Sequence, residues 1–514
     1  MALFVLRRSL QTLIVLLVAS FVVYILTAYS GDPLAELRTR TDPAAQRMMA
    51  DLIQRLDLET PPVLRYFGWL AGAAGCLIGR CDLGVSITKN QQPVTEVLQG
   101  AVGSTLQLVT LSAILAVVIG VAIGMITALR QKSGFDYTVT FFAFVFYSLP
   151  IFWVAVLLKE YGAIRFNAFL GDPTLGVPAI IALSVGTGLI AQAVTGGELA
   201  ARLRVAVVTA LLAGTLLGVI EATQWLRSPS LGVLGVTLLT LFSAVAFVYV
   251  STGLDDRRAQ LSALIMVVAV AIAWSPLQYV FYYWNNLWSV PVVAIALAGI
   301  GALIGFFVGG NRRRAIARVT ALIGASSIIA FVLDQMLLRW AEYLSRIPQR
   351  QGIVSTIGAS TPSLAAETDV WLRLLDSASH LILPTIALMV ISVAGYTRYA
   401  RSSLLEVMNQ DYVRTARAKG LSERAVIVRH ALRNALIPIT TVVALDFGAI
   451  IGGAIITERI FAWQGMGSLF SEGLYHVDVN LVMGFFLITG LVAVVFNVIA
   501  DVAYSLLDPR IRVS

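Results

Sequence analysis

The stretch Arg398 to Pro438, RYARSSLLEVMNQDYVRTARAKGLSERAVIVRHALRNALIP, decides how the rest of the chain is read. Its eight basic residues (Arg398, Arg401, Arg414, Arg417, Lys419, Arg424, Arg429, Arg433) stand against three acids (Glu406, Asp411, Glu423), and apolar runs flank it on both sides. Short loops rich in Arg and Lys stay on the cytoplasmic face of a membrane, which orients this one. Helix-forming residues fill it and Gly420 interrupts it once, so the pattern predicts helix, turn, helix. Ser422 is placed as an N-cap with Glu423 in the first turn, Leu421 is placed to staple onto Val426, and Arg429 and Arg433 fall on one helix face. A rigid basic knob of this kind is a docking surface for another protein.

Of the 514 residues 58% are hydrophobic and 13% charged, and the mean hydropathy is +0.84. A soluble domain carries about 25% charged residues, so the composition predicts an all-α polytopic membrane protein. The net charge is +8, yet the arginines cluster between apolar runs; the excess orients the chain and meets lipid headgroups rather than nucleic acid.

Read in order, Arg7 and Arg8 precede a first span, Thr12–Tyr29, with its amino end inside and no small-residue cleavage site after it. A polar outer segment follows, Ser30–Ala101, then a second span near 103–129 and a third, Asp136–Leu158, which Pro150 should kink or unwind. Gly120 and Gly124 have the small-xxx-small spacing of close helix contact. Six further apolar runs lie near 177–195, 205–222, 231–252, 261–282, 290–310 and 319–338. The loops that should be cytoplasmic hold Arg202 and Arg204, then Arg257 and Arg258, then Arg312, Arg313, Arg314 and Arg318; the outer loops hold Arg227 or no basic residue. Six is even, so the basic docking loop keeps its side. Gly301, Gly305 and Gly309 repeat at four-residue spacing and predict tight packing.

A mixed outer stretch, Ala341–Ser379, with a short surface helix expected around Trp371, leads to span four (His380–Tyr396) and the docking loop. Span five covers Ile437–Thr457, with Gly448 and Gly452 spaced for contact, and span six Leu481–Leu507. Between them TERIFAWQGMGSLFSEGLYHVDV predicts an outer re-entrant or surface segment. Asp446, Asn497 and Asp501 are expensive in lipid and must face protein, water or a partner; with Pro150 they are the candidate pathway or core polar residues. For Pro150 a flexible pathway lining and a packing kink are both open.

YVRTARAKGLSERAVIVRHALRNALIP resembles the cytoplasmic coupling loop of ABC-importer membrane subunits, specifically of the oligopeptide/dipeptide permease family. Arg414, Thr415 and Ala416 stand in that motif's small-residue triplet and Gly420 is its glycine; with Ser422, Glu423, Arg429, Arg433 and Asn434 they form the implied ATPase-docking loop. The same family is resembled by FVLRRSLQTL, Gly31-Asp32-Pro33, Asp82-Leu83-Gly84, Ser86, Asp136, the Pro150 segment, and Glu458, Phe461, Gly465 and Gly467, where Gln464 replaces the usual proline. The resemblance covers residues 1–162 and 378–514, which implies a six-helix type I importer core, with a coupling loop at 398–437, split by an inserted membrane segment at 163–377. Twelve spans result.

The family implies half of a translocation path for peptides or similar small solutes, working by alternating access. It implies a second permease subunit, two cytoplasmic nucleotide-binding domains that bring ATP and Mg, an extracytoplasmic substrate-binding protein, and a place in a bacterial plasma membrane with both termini cytoplasmic. No lysine follows a glycine, so the phosphate-cradling G-x-x-x-x-G-K-[ST] loop is absent and ATP hydrolysis belongs elsewhere. His380, His430 and His476 are scattered and form no metal set. Twelve spans also suit an ion-coupled secondary transporter, against which stand the lack of an inverted repeat and of a coupling-ion site. Cys76 and Cys81 share one outer loop; a disulfide and two separate small buried residues are both open.

Overall fold

The computed structural model describes residues 2–195, 197–348 and 352–507, and its regular elements are helices, apart from one isolated antiparallel bridge between Val85 and Pro93. Lipid offers no water to an exposed backbone, so a chain this apolar satisfies its peptide groups inside helices.

Helix α1 (Ala2–Tyr29) leads into the polar segment, where short helices Pro43–Arg55 and Pro62–Gly75 form. Helix α2 (Val94–Leu129) runs for 36 residues and begins ahead of the expected Gly103. Helix α3 (Gly134–Ser148) starts where the Ser133 side chain accepts from the Asp136 N–H. It stops at Leu149, whose extended backbone is what a following proline imposes, and α4 (Ile151–Leu157) leaves at 103°, continuing helical through a π turn to Gly171. Of the kink or unwinding expected at Pro150, the helix shows the unwinding, as a break between α3 and α4.

Six helices follow: α5 (Val177–Val194), α6 (Leu199–Ala222), α7 (Gly232–Ser251), α8 (Arg257–Tyr283), α9 (Ser289–Val308) and α10 (Arg313–Leu338). They coincide with the six apolar runs. Helices α7 to α10 share one core that includes Val236, Met266, Leu297, Ile323 and Phe331, while α5 and α6 pair with each other and leave most of their surface bare. Gly301 meets α10 so closely that a Cβ would stand 2.2 Å from the Thr320 carbonyl oxygen, and one on Gly324 would stand 2.2 Å from that of Leu297. The tight packing expected of Gly301 and Gly305 is thus seen; Gly309 instead sits against Arg313 in the following turn.

Helix α11 (Val370–Met408) is 39 residues long, capped by the Asp369 side chain accepting from the Trp371 and Leu372 N–H groups. This corrects two expectations. Trp371 is fully buried, edge-to-face with Phe281 of α8 at 5.2 Å, because burying a large ring is worth more than a surface position; and Arg398 and Arg401 belong to the spanning helix, not to a loop. After α12 (Asp411–Ala418) the chain is helical without interruption from Glu423 to Ile460: one α turn, a π turn Val426–Ala431, then α13 (Leu432–Ile460). Span five therefore has no separate start at Ile437. Helices α14 (Met466–Tyr475) and α15 (Val479–Leu507) complete the order.

Among the described residues ten helices are long and apolar enough to cross a membrane, eleven if the α3–α4 pair is one span. The apolar part of helix α1, Leu13–Tyr29, is shorter than these, so the count stands at ten or eleven against the twelve expected. Helix α2 lies along α11, and a Cβ on Gly120 or Gly124 would come to 2.8 Å from Tyr396 Cβ or 2.5 Å from the Thr397 carbonyl oxygen. Those two glycines make the close approach possible, as their spacing predicts.

Candidate functional site

At the basic end α12 and the Glu423–Ala431 turns fold into a compact knob. Val413, Ala416 and Val426 form its buried seam. Val426 packs there, and Leu421 is 43% exposed, so the expected staple is replaced by packing between the two helices. Gly420 turns the chain at φ +74°, with open space around a would-be Cβ, so the demand for glycine is conformational rather than steric. Ser422 caps as expected, accepting from the Ala425 N–H. Arg417 donates to both oxygens of Glu423 (2.6 and 3.1 Å), and these hydrogen bonds hold the Glu423 carboxyl below the usual carboxylate range. Asn434 donates to the Tyr412 hydroxyl at 2.7 Å, tying the base of α13 to α12. Thr415 donates back to the Asp411 carbonyl, and Arg414 lies exposed within 3.7 Å of the Asp411 carboxylate. The knob is welded to α13, so a force on one moves the other.

A second tie lies one helix away. Arg401 of α11 donates through Nε and Nη2 to the two oxygens of buried Asp136 at 2.8 and 3.0 Å, and the Lys132 N–H adds a third donor at 2.9 Å. The sequence showed Asp136 only as part of a resemblance; its partner lies 265 residues away.

At the opposite end the polar segment is clamped. Ser86 donates to the fully buried Asp478 at 2.6 Å, joined by the Thr88 N–H and hydroxyl, while Lys89 pairs with Glu472 at 2.6 Å and Asn480 donates to the Val85 carbonyl. Behind it a cavity of about 720 Å³ is lined by Tyr24, Asp32, Arg65, Asp82 and Asn480 among others. The Sγ atoms of Cys76 and Cys81 are joined in this segment.

The TERIFAWQGMGSLF stretch is not a surface segment: Phe461, Trp463 and Met466 are buried. Its centre is Glu458, fully buried, accepting from the Thr105 hydroxyl (2.6 Å) and the Ser468 N–H (2.9 Å). A Cβ on Gly465 would stand 2.4 Å from Glu458 Oε1, and one on Gly467 2.5 Å from Ile455 Cα, which is why small residues recur here. In the sequence Glu458 stands only within a pattern, and nothing local shows that α2 supplies its partner.

Of the candidate pathway residues, Pro150 and Asp446 are among those described. Pro150 lies at the α3–α4 break, and half-buried Asp446 lies within electrostatic reach of the Tyr396 hydroxyl on α11. The side chains of Asn497, Asp501 and Arg429, with Gly448 and Gly452, lie outside the described residues. Among the described residues no group of three His, Cys, Asp or Glu side chains could hold a metal.

Helices long and apolar enough to span a membrane, a knob continuous with one of them, and ion pairs that lock helices at the basic end define a multi-pass α-helical membrane protein. Residues 351–513 match the family described as binding-protein-dependent transport system inner membrane component, a match that begins ahead of residue 378. The oligopeptide transport system permease protein AppB of Bacillus subtilis is 45% identical over 140 residues, 27% of this chain and 44% of that protein. The corresponding figures are 42% over 157 residues (30% and 48%) for the oligopeptide permease OppB of Mycobacterium tuberculosis, and 41% over 155 residues (30% and 46%) for the dipeptide permease DppB of Escherichia coli. The chain spans about half the length of the curated relatives it matches. The family match lies in the carboxy-terminal block, which is similar to that family of transport-system inner membrane components.

Proposed function

We propose that the chain is one transmembrane subunit of an ATP-driven importer for peptides or solutes of similar size. The observation that carries this is the knob of Asp411–Ala431: folded on its own seam, exposed on its basic face, and continuous with spanning helix α13 inside the family-matched block. In this reading it lies on the cytoplasmic side and receives a nucleotide-binding domain, which brings the ATP and Mg. Closure of the ATPase pair pushes the knob, α13 turns as a rod, and α11 follows through packing; the path opens alternately to either side. A second permease subunit supplies the other half of the path, and a binding protein delivers solute to the end clamped by Asp478. The chain itself catalyses no reaction.

Residues 163–377 constitute an inserted structural or partner-binding belt. Helices α7 to α10 have a core of their own, which Trp371 joins against Phe281 at the start of the helix that carries on beyond residue 377, and this suits an added module. Deleting residues 176–340 should leave substrate-dependent transport detectable; total loss with normal assembly would remove the belt reading.

The test is purification of the tagged chain in mild detergent from its native host, with each stoichiometric partner identified by mass spectrometry. A second permease and ATPase subunits are expected. Recovery of the chain alone in a transport-competent form, stopped by a protonophore rather than by removal of ATP, would establish the ion-coupled carrier instead.

A further inference from the structure

Arg398 lies one turn before Arg401 on α11, yet the two side chains meet opposite ends of α3. Arg401 meets Asp136, the third residue of α3. The Arg398 guanidinium instead lies over the ring of Tyr147, 3.9 Å from its centroid, and 5.5 Å from that of Phe144. Tyr147 is about 16 Å further along α3 than Asp136, at 1.5 Å of rise per residue. An interfacial arginine ordinarily snorkels toward water; this one reaches away from the basic end, toward the Pro150 break.

Its surroundings are incomplete for a cation. Among the described residues no carboxylate pairs with it, and its enclosed Nε has no hydrogen-bond partner. Tyr147 and Phe144 are 54% and 57% exposed, so the stack lies on the surface of this subunit rather than in its core. The ring face holds the charge electrostatically and consumes no N–H donor. A planar fork held in place with its donors unspent matches a carboxylate, which accepts two parallel N–H bonds. Broken helices beside a fixed charge are also where transporters place substrate groups. Peptides differ in every side chain but share a terminal carboxylate, so one fixed fork serves them all.

We propose that Arg398, held over Tyr147 beside the Pro150 break, contacts the free carboxylate of the transported peptide as it passes this subunit; the proposal rests on the importer reading above. The experiment uses membrane vesicles holding the complete transporter and its unchanged binding protein, with radiolabelled trialanine and its carboxy-terminal amide as probes. The readout is the ratio of ATP-dependent uptake of acid to amide. Arg398→Gln should lower that ratio about tenfold relative to wild type, the scale of a lost hydrogen-bonded charge contact. Arg398→Lys should retain part of the preference, because a point charge attracts the carboxylate without gripping both oxygens. Should Arg398→Gln fail to insert, Tyr147→Leu reads the same ratio and should lower it. Equal loss of both substrates, or an unchanged ratio, with wild-type uptake intact, would overturn the carboxylate contact alone. Absence of ATP-dependent uptake of either probe by wild-type vesicles would overturn the importer reading and this proposal with it.

Discussion

Arg401 and Asp136 form a two-pronged ion pair, 2.8 and 3.0 Å, that fastens the start of α3 to the inner part of α11. Asp136 is buried while Arg401 is 30% exposed, so water screens one partner only. Replacing Asp136 with Asn leaves the guanidinium facing a weak acceptor. Stability in detergent should fall by about 1–3 kcal/mol, and a double-mutant cycle with Arg401→Gln should show a coupling of at least about 1 kcal/mol. Additive single effects would mean that the pair holds nothing.

At Gly420 the backbone is left-handed, φ +74°, and nothing crowds the position. Gly420→Val should cost about 1–2 kcal/mol in the knob, and Gly420→Asn distinctly less, because β-branched side chains tolerate that region least. The Val variant should still insert but recover less ATPase subunit on co-purification. Wild-type substrate-stimulated ATPase activity in that variant would remove the assignment.

The Arg417–Glu423 pair closes the same turn. Its carboxylate is depressed in the folded state, so whatever stability it contributes is fully present above the ordinary glutamate value and lost as pH falls through the lowered one. Both side chains are largely exposed, so Glu423→Gln should change stability by less than about 1 kcal/mol at neutral pH. A larger loss would show that the pair is shielded by a partner bound to the knob.

Asp478 binds the polar segment to the far end of the chain through Ser86 and Thr88. Asp478→Ala leaves those donors without an acceptor and should cost about 1–3 kcal/mol locally. Limited proteolysis should then cut at Arg80 or Lys89 faster than in wild type while helix content stays constant. Equal cutting rates would mean that the clamp is redundant.

The Cys76–Cys81 bond closes a short loop, and mass spectrometry without reductant should count no free thiol. Replacing both with Ser should cost about 2 kcal/mol or less on the chain-entropy account, since the stabilisation grows with loop length. Two free thiols in the native protein would show that the bond does not form.

The sequence by itself determined the class of this protein, the positions of the apolar helices and the basic knob, because hydropathy, charge asymmetry and a positive-φ glycine are local properties that survive without neighbours. Gly120, Gly124, Gly301 and Gly305 were legible as contact positions for the same reason: small-residue spacing marks a helix face. Only the tertiary structure decided what each face meets. That Asp136 answers Arg401, that Thr105 answers Glu458, that Ser86 answers Asp478 and that Phe281 receives Trp371 depends on residues 90 to 392 positions apart, and no period or motif carries such pairings. The continuity of helix from Glu423 to Ile460 was hidden because basic residues look like loop, and a helix crosses from lipid to water without changing its backbone. The direction of the Arg398 side chain was hidden for a related reason: a basic residue beside an apolar run reads as reaching for water until the Tyr147 ring near the far end of α3 is seen to hold it.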